Sequence, residues 1–205
     1  ASLRKAEPFV RQAAEEAGSL VCFPEQVATG WDPASGKYIQ DRSGPIVTSF
    51  RNLARDNGIA ILGSFREEHP GKPRNTCIVI GKNGEELASY AKCHLFTPAH
   101  EEDNYLAGKS LGVFELDGIR FGLAICYDLR FSELFQAYAQ WGVHAMIVPA
   151  AWPASRIGHW ELFIRARALE HQIYVIGINT TGTNPVDCYN GHSLAADPSG
   201  TIVAQ

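Results

Sequence analysis

An α/β fold with mixed sheets is what this chain of 205 residues predicts, and three observations carry that expectation. Apolar runs of strand length alternate with segments whose apolar residues recur every three or four positions. Asn83-Gly84 stands between two strand-like runs, a hairpin signal that a wholly parallel sheet does not accommodate. Asp117-Gly118 makes a second tight turn between apolar runs, and a third lies at Asp197 to Gly200.

Taken in order, Leu3 to Ala17 reads as an amphipathic helix with Phe9, Val10, Ala13, Ala14 and Ala17 on one side, and Gly18 stops it. Ser19 to Phe23 is a short buried strand with Glu25 just past its end. The stretch from Ala28 to Gly44, rich in Gly, Asp, Ser and Pro, reads as a surface loop. Pro45 to Asn57 is the next helix, with Gly58 closing it. Strands follow at Ile59 to Phe65, Thr76 to Gly81 and Glu86 to Lys92, the last two joined through Lys82-Asn83-Gly84. A loop from His94 to Gly108 leads to Leu111 to Leu116, and Ile119 to Ile125 runs into Cys126. A helix from Ser132 to Trp141, with Ser132 as N-cap, precedes a buried strand at Val143 to Val148. Gly158 to Gln172 is helical, Ile173 to Asn179 extended, and His192 to Ala196 and Thr201 to Ala204 complete the set. The whole of residues 1–205 reads as one domain. It opens on a helix with no strand ahead of it and stops inside an apparent strand, so an edge strand is expected to be missing at each end.

Composition narrows the function. Forty-five per cent hydrophobic and twenty per cent charged residues are ordinary for a globular protein, and a net charge of −4 leaves no basic footprint for nucleic acid or an anionic membrane. No apolar run is long enough for a membrane span, and ASLRKAEPFV does not read as a signal peptide. Five cysteines, without CxxC spacing, argue against a disulfide framework and for a reducing, cytoplasmic setting. The seven histidines show no metal-ligand spacing, so no metal is expected.

Three reactive groups fall at C-terminal strand ends: Glu25, Lys92 and Cys126. Ligands gather outside those ends in open α/β sheets, so the three can converge. Their chemistries complement one another. A carboxylate can move protons, a thiolate attacks a carbonyl or nitrile carbon, and an ammonium steadies the oxyanion together with the N–H of Tyr127. Against this stands the plainer reading of a loop carboxylate, a hairpin-edge lysine and a packed thiol.

FPEQ around Glu25, YAKCHLF around Lys92 and GLAICYDLRFSEL around Cys126 resemble the three motifs of the nitrilase, or carbon–nitrogen hydrolase, superfamily. HWELFIRARALEHQIYVIGIN and GHSLAADPSG resemble its later core. The resemblance implies a four-layer αββα sandwich, no metal, no organic cofactor, and homodimers or larger assemblies packed through helices near the nucleophile. Carried over by motif, Glu25 is the general base, Lys92 the oxyanion stabiliser and Cys126 the nucleophile. Glu101, seven residues before Gly108, matches a second glutamate common in the family, expected to orient Lys92; its alternative is a solvated loop charge.

CYDLRF followed by HWE resembles the branch of omega-amidases, which implies a small-molecule amide substrate bearing a carboxylate. Arg130 then either grips that carboxylate or pairs with Glu133, Glu161 or another acid and only shapes the turn. Tyr127 and Trp152 are candidates for the pocket wall. Nitrile and N-carbamoyl hydrolysis are rival activities of the same superfamily, and a catalytically silent scaffold is the rival of another class.

Overall fold

The computed structural model describes residues 2–205, with side chains from Lys5 onward. Its elements run α1 (Ser2–Glu15), β1 (Leu20–Cys22), α2 (Pro45–Asn57), β2 (Ala60–Glu67), β3 (Arg74–Ile80), β4 (Glu86–Ala91), a short α3 (Glu101–Asn104), β5 (Val113–Leu116), β6 (Ile119–Leu123), α4 (Ser132–Gln140), β7 (Ala145–Ala150), α5 (Ile157–His171), β8 (Tyr174–Asn179), β9 (Thr181–Thr183), β10 (Cys188–Asn190), β11 (Leu194–Ala196) and β12 (Ile202–Ala204).

These strands form two main sheets. The first has the order β1-β2-β3-β4, with β1 parallel to β2 and the remainder antiparallel. The second has the order β12-β11-β8-β7-β6-β5, a parallel centre of β6, β7 and β8 flanked by antiparallel edges. Both are mixed, as the hairpin turns predict. β9 and β10 pair separately as a small hairpin.

Period-two alternation explains the layering. On β2 and β3, Ile61, Phe65, Ile78 and Ile80 pack with Phe50, Val47 and Val10 of the first two helices. Their sequence neighbours Leu62, Cys77 and Val79 turn the other way and join Leu123 and Ile147 of the second sheet. The far side of that sheet meets Tyr138 of α4 and Trp160 and Ile164 of α5. Gly177 on β8 is required there, since a Cβ would lie 2.4 Å from the Trp160 ring. The result is four layers, helices outside and two sheets face to face, which is why β2, β3 and β7 are buried almost throughout.

Most expected elements lie within two residues of their observed bounds. The difference that matters follows Cys126. Ser132 does not cap a helix: Cys126–Arg130 forms a 3-10 turn, Phe131 occupies the cap position of α4, and the Ser132 hydroxyl lies 3.1 Å from His171 Nε2. Residues 181–190, where the sequence pattern predicts no element, form the β9–β10 hairpin, and Cys188 begins its second strand. The expected strand from Val143 starts two residues later and runs on to Ala150.

Candidate active site

Glu25, Lys92 and Cys126 meet between the two sheets. β1 hands the chain to Glu25 through a Phe23 N–H to Leu62 carbonyl bond of 2.9 Å, and the Ser64 hydroxyl accepts the Gln26 N–H at 2.7 Å. Lys92 follows β4 and stays in register through its N–H to Asn75 carbonyl bond of 2.9 Å. Gly108 folds back against it, donating its N–H to the Lys92 carbonyl at 2.8 Å. A Cβ on Gly108 would meet the Ala91 carbonyl oxygen at 2.1 Å, so only glycine allows the loop between them to close.

The Lys92 ammonium lies between two carboxylates, 2.8 Å from Glu101 Oε2 and 3.3 Å from Glu25 Oε1, and all three side chains are fully buried. Glu101 is therefore no solvated loop charge. It also accepts the Phe96 N–H at 2.7 Å, closing the loop that follows the lysine. Glu25 Oε2 accepts the Ala151 N–H at 3.0 Å, which ties the carboxylate of the first sheet to the end of β7 in the second.

Cys126 sits at the mouth of the strand-to-helix turn with φ of 47°. That is left-handed backbone, rare for a residue with a side chain. Asp128 holds the turn. Its buried carboxylate accepts the Ile125 N–H at 2.9 Å, the Tyr90 hydroxyl at 2.8 Å and the His94 N–H at 2.8 Å. From behind, Arg167 of α5 donates to the Leu129 and Arg130 carbonyls at 3.1 and 2.8 Å. It also pairs with Glu170 three residues on in the same helix, at 3.0 Å.

Burial sets the protonation of the cluster. It pushes the Cys126 thiol well up, and the Glu25 charge adds to this while Lys92 opposes it. Burial likewise raises Glu25, against the pull of Lys92 and the hydrogen bonds from Asn75 and Ala151, with the Glu101 charge pushing it further up. Desolvation disfavours the Lys92 ammonium, but Glu101, Glu25 and Cys126 together outweigh it and hold the amine charged.

Cys126 and Lys92 open on a cavity of about 240 Å³. Tyr127, Arg130 and Trp152, all expected near the site, line it. The Arg130 guanidinium lies 5.0 Å from the Trp152 ring and 5.1 Å from the Phe163 ring, and its nearest polar side-chain contact is His159 Nδ1 at 3.3 Å. The expected alternative of a pair with Glu133 or Glu161 is not formed; among the described residues no carboxylate comes within 4.0 Å of Arg130, while Glu161 pairs with Arg165.

Sequence pattern alone misses several site residues. Asn75 bridges Glu25 and Glu101, and the strand predicted from Thr76 starts one residue too late to include it, which leaves it in the polar stretch before. Trp31, in what reads as a surface loop, is 7% exposed and walls the cavity, as do Arg156 and Tyr189. Nothing in their spacing marks them. Cys77 lies in the core between the sheets and Cys22 packs against it, both outside the cavity. Among the described residues no cluster of three or more His, Cys, Asp or Glu could hold a metal ion, and no helix is long and apolar enough to cross a membrane.

A thiol on a left-handed turn, with a buried lysine held between two carboxylates, is an arrangement suited to nucleophilic chemistry. The chain belongs to the carbon–nitrogen hydrolase family, whose model matches residues 1–205. It is 35% identical over 206 residues to a 2-oxoglutaramate amidase of Bacillus subtilis (strain 168), covering 100% of this chain and 79% of the relative. It is 33% identical over 218 residues to the omega-amidase NIT2 of Homo sapiens, covering 100% of this chain and 78% of that one. Among solved structures, an amidase of the nitrilase superfamily from Nesterenkonia AN1 superimposes with a TM-score of 0.90 at 27% identity, over 98% of this chain and 79% of its own. Another form of that amidase, at TM-score 0.89, 26% identity and coverage of 98% and 78%, carries the acetamide moiety of fluoroacetamide on its active-site cysteine. The chain is accordingly a carbon–nitrogen hydrolase of the nitrilase superfamily.

Proposed function

We propose that this protein hydrolyses a small, carboxylate-bearing amide of the omega-amide type, through a thioester on Cys126, to a carboxylic acid and ammonia. The observation that carries the reading is Lys92 held between Glu25 and Glu101 beside the half-buried Cys126 at the cavity floor.

Glu25 takes the thiol proton as Cys126 attacks the amide carbon. A thiol held well above its ordinary range stays protonated until a base is in place, which confines nucleophilicity to the productive encounter. The Lys92 ammonium and the Tyr127 N–H receive the developing oxyanion. Glu25 passes its proton to the nitrogen as the C–N bond breaks, and then takes one from the water that opens the thioester, returning the thiol. A carboxyl raised by burial suits a group that must both accept and give a proton near neutral pH. Glu101 positions Lys92 and touches no reacting atom. Arg130, cradled on Trp152 and free of any carboxylate, is the group that binds the substrate's carboxylate, and Tyr127 and Trp152 shape the acyl pocket.

That unpaired arginine favours an anionic amide over a neutral nitrile, and the names of the two curated relatives point the same way. A silent scaffold would have no need of a buried cluster of this kind. By the same family resemblance, the working form is a homodimer or larger assembly, and the five cysteines without CxxC spacing favour a cytoplasmic setting. An ammonia-release assay across 2-oxo acid amides, neutral amides, nitriles and N-carbamoyl compounds tests the reading, with Cys126→Ala as the control. Release from none of them sinks it, and a preference for nitriles moves the activity to another branch.

A further inference from the structure

A second cavity, of about 260 Å³, lies behind the first. Trp31, Ala151 and Tyr189 line both and form the partition. The division of the reactive groups between them is uneven. Cys126 and Lys92 line the first cavity and not the second; Glu25 lines the second and not the first.

The two linings differ in chemistry as well. Aromatic rings and the guanidinium groups of Arg130 and Arg156 dominate the first. Small hydroxyls and two amides, from Thr29, Thr180, Thr181, Thr183, Gln26 and Asn184, dominate the second. Such a lining suits small neutral hydrogen-bonding molecules, the class to which water and ammonia belong. The partition is fixed rather than loose. Asn184 Nδ2 donates to the Trp31 carbonyl at 2.8 Å, Trp31 and Tyr189 are each 7% exposed, and the Ala151 N–H holds Glu25 Oε2 at 3.0 Å.

We infer that the second cavity is the passage through which water reaches Glu25 and ammonia departs, separate from the cavity that admits and holds the acyl group. The inference rests on the thioester reading above. Cys126 lines the first cavity, so an acyl group bound to it occupies that space, and a separate approach spares the water from passing it on the way to the base. The balance is simple. Ammonia leaves carrying the proton that Glu25 gave as the C–N bond broke. Water then enters, loses a proton to Glu25 and adds its oxygen to the acyl carbon. The C–S bond breaks, and the proton on Glu25 returns to the thiolate.

Thr29→Trp and Thr183→Trp fill the second cavity from two different segments, the second from the exposed strand β9, where a large side chain leaves the core untouched. Val186→Trp narrows the first cavity only. Two steps are read separately: alkylation of Cys126 by a small haloacetamide, and the acyl-enzyme fraction during amide turnover, by rapid quench and intact mass. Both threonine variants should alkylate at the wild-type rate yet accumulate acyl-enzyme, with thioester breakdown slowed about tenfold. Val186→Trp should alkylate slowly and accumulate none. Folded threonine variants that accumulate no acyl-enzyme, or that lose alkylation in parallel, overturn the inference alone. A wild-type enzyme that forms no acyl-enzyme with any amide instead overturns the thioester reading beneath it.

Discussion

The Asn75 side-chain amide donates to Glu25 Oε1 at 2.7 Å, from a strand that is apolar from Cys77 onward. The same nitrogen lies 3.4 Å from Glu101 Oε1, so one amide spans both carboxylates that flank Lys92. A hydrogen bond to the charged form of a carboxyl favours that form. Glu25, already raised by burial, would therefore rise further without Asn75. Glu25 must be ionised to take the thiol proton, so Asn75→Leu should move the acidic limb of the kcat/KM profile to higher pH and lower activity at neutral pH. A profile whose acidic limb stays in place would show that Asn75 serves packing alone.

Glu25 also links catalysis to stability. Its carboxyl is raised on folding, so the stabilising contribution of the protonated form is complete below the ordinary carboxylate range and is lost as pH rises through the raised folded value. Glu25→Gln removes that titration. The stability of the variant relative to wild type should therefore increase with pH across that window and level off above it, while turnover is abolished. Urea melts of both proteins at a series of pH values check this. A difference that is flat with pH, or that falls as pH rises, contradicts the raised carboxyl.

Strand ends make much of this site legible in the amino-acid sequence. Glu25, Lys92 and Cys126 each stand where an apolar run stops, and a run that stops at a reactive side chain is visible in one dimension. The four layers are legible for a related reason, since Ile61 and Leu62 or Ile78 and Val79 can be assigned to opposite faces by counting. Trp31 is not legible, because a loop rich in Gly, Asp and Pro carries no periodicity to say which residue turns inward. Asp128 is hidden by its neighbours. It reads as one more turn residue in CYDLRF, and only the fold brings Tyr90 and His94 to it across 38 and 34 positions. The expected Ser132 cap fails for the same reason: the hydroxyl has a tertiary partner in His171 that local capping preference cannot foresee.

Arg130 should separate substrates by charge. Its guanidinium lies on aromatic faces and has no carboxylate partner among the described residues, so removing it leaves no buried acid unpaired. Arg130→Gln should raise KM for an amide bearing a distal carboxylate by about thirtyfold, corresponding to about 2 kcal/mol for a lost charge-assisted contact. KM for a neutral amide of the same length should hardly change. Equal losses on both substrates would assign Arg130 to shaping the Cys126 turn instead of reading the substrate.

The nucleophile turn should be a place where stability is given up for geometry. At φ of 47°, Cys126 occupies left-handed backbone that costs a residue with a Cβ about 1 kcal/mol and costs glycine almost nothing. The Asp128 carboxylate and the Arg167 guanidinium over-determine the turn, bonding to backbone on either side of it, so the conformation persists whatever stands at the position. Two inactive variants then differ in that strain and, in the opposite sense, in the greater unfolded-state freedom of glycine. Cys126→Gly should unfold at higher urea than Cys126→Ala, with a net stability difference of about 0.5 kcal/mol, because the strain released is larger than the entropy lost. Equal midpoints would mean that the strain released only offsets that entropy. Glycine less stable than alanine would mean that the left-handed backbone at Cys126 carries no strain, and that the thiol's direction is set by Asp128 and Arg167 alone.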